Sequence, residues 1–120
     1  MTKEALVKEI GELYKSIGMG FDRSSPETLI AELDYRSQWL ARSAELVGEA
    51  QFIHDTTRGK ASEKYLDVSA TVLREVLSRD CAEEAKILKL AERLNSTLTH
   101  QIDAIRTIIS FEKESRRQTH

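Results

Sequence analysis

This chain of 120 residues has little of what most small-protein chemistry needs. Its one cysteine, Cys81, excludes an intramolecular disulfide framework and a cysteine-rich zinc module. One proline and five scattered glycines leave no glycine-rich loop to cradle a phosphate. A P-loop, a dinucleotide fingerprint and a G-x-S-x-G elbow are all missing. The three histidines, His54, His100 and His120, form no spaced pair. Gln51 and Thr97 stand three places before His54 and His100, so the Glu-x-x-His pattern of helical di-iron sites is absent. No catalytic residue, metal ligand or cofactor is therefore expected, and the chain reads as a non-enzyme.

Charge of one sign is also lacking. Eighteen basic residues face twenty acidic ones, for a net charge of −2. A protein that lives on the phosphate backbone is usually basic, so nucleic acid is a poor candidate partner. No apolar run approaches the ~20 residues that cross a bilayer. The start, Thr2-Lys3-Glu4-Ala5, brings an acid at once and does not read as a signal peptide. A cytoplasmic location, with no membrane contact, is the expectation.

What is present is helical pattern. Charged residues make up 32% of the chain and hydrophobic ones 40%, a pairing common in helices with exposed charged faces. Leu6, Ile10, Leu13 and Ile17 share one face of a first helix, expected over 3–17, with Thr2 as its N-cap. Gly18, a residue tolerant of positive φ, is expected to stop it. After a glycine- and serine-containing linker, Ser25-Pro26-Glu27 is a strong helix start. Apolar residues then run through Leu29, Leu33, Leu40, Val47 and Ala50, so a second helix is expected over 26–58. Residues 60–68 are open to two readings, a continuation past Gly59 or a break. Ser69 caps a short helix over 70–78. Asp80-Cys81-Ala82-Glu83 resembles a capping box and starts a last helix over 81–116. The polar tail from Glu112 to His120 is expected to fray.

Two helices of roughly 30 residues or more are each about 45–50 Å long. A compact chain of this size has a radius of gyration of only about 13–14 Å. The expected fold is therefore all-α: one helical domain over 1–120, built on an elongated antiparallel hairpin with a short N-terminal helix and a short connecting helix. The double apolar stripe on the last helix is wider than one neighbour needs. Self-association into a homo-oligomeric bundle is expected.

Polar residues interrupt these stripes near the middle of the hairpin. They are Arg36 and Ser43 on the second helix, and Asn95, Thr99 and Gln101, with His100 beside them, on the last. If the helices turn back between Arg58 and Cys81, residues whose numbers sum to about 139 face each other. Trp39 then meets His100, Arg36 meets Asp103, and Ser43 lies level with Ser96 and next to Asn95. Two readings follow. A buried polar layer fixes register and oligomer state at some cost in stability. Alternatively the layer lines a ligand pocket. Arg36, Arg42 or Arg106 would then meet phosphates, Trp39 would stack on a base, and Ser43, Asn95, His100 and Gln101 would supply neutral hydrogen bonds. Cys81 lies at a helix start, which lowers a thiol pKa, but Glu83 and Glu84 oppose that, and an inert thiol is expected.

Three stretches carry a resemblance. Trp39-Leu40-Ala41-Arg42-Ser43-Ala44-Glu45-Leu46, Leu90-Ala91-Glu92-Arg93-Leu94-Asn95 and His100-Gln101-Ile102-Asp103-Ala104-Ile105-Arg106 resemble small helical proteins of bacteriophages and prophages, over about residues 29–113. Some such proteins counter host defence by sequestering nucleotide signals. The resemblance implies a sponge for a small anionic nucleotide in the bacterial cytoplasm. The alternatives are an accessory of phage recombination or replication acting through protein or single-stranded DNA contacts, and a purely structural oligomeric bundle.

Overall fold

The computed structural model describes residues 1–118. The order is α1 (Lys3–Gly18), α2 (Pro26–Ser62), one 3-10 turn (Glu63–Tyr65), α3 (Ala70–Asp80) and α4 (Ala82–Gln118). No strand occurs among the described residues. The radius of gyration is 20.3 Å and the extents are 76 × 27 × 17 Å, so the hairpin is long and thin, as the helix lengths require.

Local chemistry sets most helix ends. The Thr2 side chain accepts from the Ala5 amide at 3.1 Å. Ser25 and Thr28 cap each other reciprocally, amide to hydroxyl, at 3.2 and 3.3 Å, with Pro26 at the first helical position. Ser69 accepts from the Val72 amide at 3.3 Å. Each bond satisfies a donor that the first turn of a helix leaves without an internal partner.

Several boundaries differ from the sequence reading. Gly18 is the last residue of α1, and Met19 follows in extended conformation, φ −76° and ψ 134°. No glycine has positive φ. The carbonyls at this helix end find partners elsewhere in the fold, so no left-handed cap is needed. The second helix does not stop at Arg58. It passes through Gly59 to Ser62, since one glycine costs only about 1 kcal/mol inside a helix. α3 runs to Asp80. The expected capping box at Asp80 does not form, because Asp80 is the last helical residue of α3; its carboxylate accepts from the Tyr65 hydroxyl at 2.8 Å. Cys81 alone separates α3 from α4; its amide donates back to Leu77 and its carbonyl accepts from Ala85. The tail stays helical through Gln118 rather than fraying from Glu112. His120 lies outside the described residues.

α2 and α4 form the antiparallel hairpin. α1 lies along one side of it, parallel to α4. Lys3 sits by Glu83 and Glu84, the Tyr14 hydroxyl donates to the Leu90 carbonyl at 3.1 Å, and the Gln101 amide donates to the Ile17 carbonyl at 3.1 Å. The core joins Leu6, Ile10 and Ile17 of α1 to Leu46 and Ala50 of α2 and to Ile87, Ala91, Leu94 and Leu98 of α4. A second small cluster, Ala61, Leu77 and Cys81 with Leu73, closes the turn of the hairpin.

Candidate functional site

The register of the hairpin agrees with the arithmetic to within two residues. Ser43 meets Asn95, whose amide nitrogen donates to the serine hydroxyl at 2.9 Å. Arg36 meets Gln101 rather than Asp103, its Nε donating to Gln101 Oε1 at 3.0 Å. Both pairs lie mid-hairpin; Arg36 and Ser43 share one face of α2, while Gln101 and Asn95 leave α4 about 120° apart. Arg36 and Gln101 lie under the C-terminal end of α1, and Asn95 lies on the flank away from it.

Arg36 is 2% exposed, among the most buried side chains in the molecule. Its guanidinium donates to Gln101, to Glu32 one turn earlier on α2, and to the Met19 carbonyl at 3.2 Å. The rings of Phe21 and Trp39 lie 5.3 and 5.5 Å from its central carbon, within cation–π range. Gln101 in turn donates to the Ile17 carbonyl. Ile17 and Met19 carry carbonyls that the end of α1 leaves without helical partners. α2 and α4 therefore cap α1 from outside, through Arg36 and Gln101. A buried cation is tolerated only when paired and hydrogen-bonded, and both conditions are met here.

The other candidate residues have separate surroundings. Arg42 holds Glu9 of α1 through two of its nitrogens and Glu45 of its own helix at 2.6 Å. These donors hold the Glu9 carboxyl below its usual range and raise the Arg42 pKa further. Trp39 is half-buried and stacks on Tyr35, with ring centroids 6.3 Å apart. Ser43 is fully buried and also donates to the Leu40 carbonyl at 2.8 Å. His100 is exposed and does not meet Trp39, because it stands one residue, about 100° of helix, from Gln101. Arg106 is exposed and lies 3.9 Å from Asp103 on its own helix. The fold thus joins Arg36 to Gln101 and Trp39, and Ser43 to Asn95. It leaves Arg42, His100 and Arg106 apart from those groups.

Three surface clefts are lined by other residues. One lies by Lys3, Val7 and Glu83, one by Lys60, Lys64 and Asp80, and one by Pro26, Ile30 and Ile109. No group of three His, Cys, Asp or Glu side chains among the described residues is placed to hold a metal ion. No helix among them is long and apolar enough to cross a membrane. Cys81 is buried, and burial pushes its thiol pKa up, with Glu84 adding to the effect. His54 Nδ1 is buried without a hydrogen-bond partner, 3.6 Å from an Asp55 oxygen.

The sequence reading missed Glu32, Phe21 and Glu9. Glu32 was legible, since Glu at i and Arg at i+4 is a favourable helical pair. Phe21 and Glu9 carry no local signal, because their roles depend on where the linker and α1 dock.

A comparison with family models, curated proteins and solved structures gives no match.

Proposed function

We propose that this chain is a non-enzymatic, self-associating hairpin protein. Its polar layer is a device of register, and its outer surface does the work. The observation that carries this reading is the Arg36 cluster. A guanidinium that is 2% exposed and bonded to Glu32, Gln101 and the Met19 carbonyl has been spent on fixing α1, α2 and α4 against one another. Ser43 and Asn95 join α2 to α4 as well. Sliding α2 by one turn along α4 would part Arg36 from Gln101 and Ser43 from Asn95, which favours this register.

A nucleotide taken up at these residues would have to displace Glu32 and Gln101 from Arg36, and Glu9 from Arg42. It would gain one anion contact for each ion pair broken. The self-associating reading is tested by thermal shift with a panel of cyclic and ADP-ribose-type nucleotides, run beside a native mass measurement. No shift and a mass of two or more chains are expected. A saturable shift that Trp39→Ala abolishes would overturn the reading in favour of nucleotide sequestration.

A further inference from the structure

We draw no further inference here: the strongest candidate, the surface cleft where the end of α2 meets the end of α3, lined by Thr57, Lys60, Lys64 and Asp80, carries nothing, because cations at these places already offset the carbonyl end of α2, Asp80 sets a carboxylate among them, and nothing in the structure shows what would fill it.

Discussion

Arg36 shows how one side chain links three helices. Replacing it with methionine keeps the packing volume but leaves Gln101 and the Met19 carbonyl without their donor and Glu32 without its counter-ion. Leaving those acceptors without their donor costs about 1–3 kcal/mol, and urea unfolding of Arg36→Met should show a loss of that order. The loss should be strongly non-additive with Gln101→Leu, because the two share one network. Glu9 gives a pH dependence. Its carboxyl is held below its ordinary value of 4.5 by the Arg42 donors. The stability it contributes is present above 4.5 and is lost as the pH falls through that value towards the lower one of the folded state. Trp39 fluorescence under acid titration should report this, and Glu9→Gln should flatten the acid limb. Cys81 has the opposite shift. Its thiol is raised by burial, so the native chain should react slowly with thiol reagents at pH 8 and at the ordinary rate once unfolded.

At the scale of the element, helix starts were more legible than helix ends. Ser25-Pro26 and Thr2 are caps made within four residues, and the structure places them as the sequence reading did. The ends of α1 and α2 depended on distant partners. α1 ends without a left-handed glycine because Arg36 and Gln101, 65 residues apart, bond its last carbonyls. α2 runs through Gly59 because α3 packs Leu77 and Cys81 against Ala61 beyond it. The capping box at Asp80 looked sound from spacing alone, but α3 runs on through Asp80, whose carboxylate accepts from Tyr65, 15 residues away. The register was readable because an antiparallel hairpin has one free number. Which flank each polar residue takes was less so, since Asn95 and Gln101 differ by about 240° around α4. Gly59 provides a test at this scale. It is helical and exposed, and an added Cβ meets nothing within 4 Å. Gly59→Ala should therefore stabilise the chain by up to about 1 kcal/mol, measured by chemical unfolding. A destabilised variant would mean that α2 breaks there.

At the scale of the whole molecule, length and thinness are the defining properties. A body of 76 × 27 × 17 Å has little interior for its surface, and Leu33, Leu40 and Val47 on α2 and Leu88 and Ile109 on α4 remain half-buried. The buried polar groups determine how the helices of one chain meet. The measurement that tests self-association most directly is sedimentation of the wild-type chain from low to high micromolar concentration. A dimer or larger whole multiple of 13.6 kDa is expected, and a chain that sediments as a 13.6 kDa monomer across that range would contradict self-association.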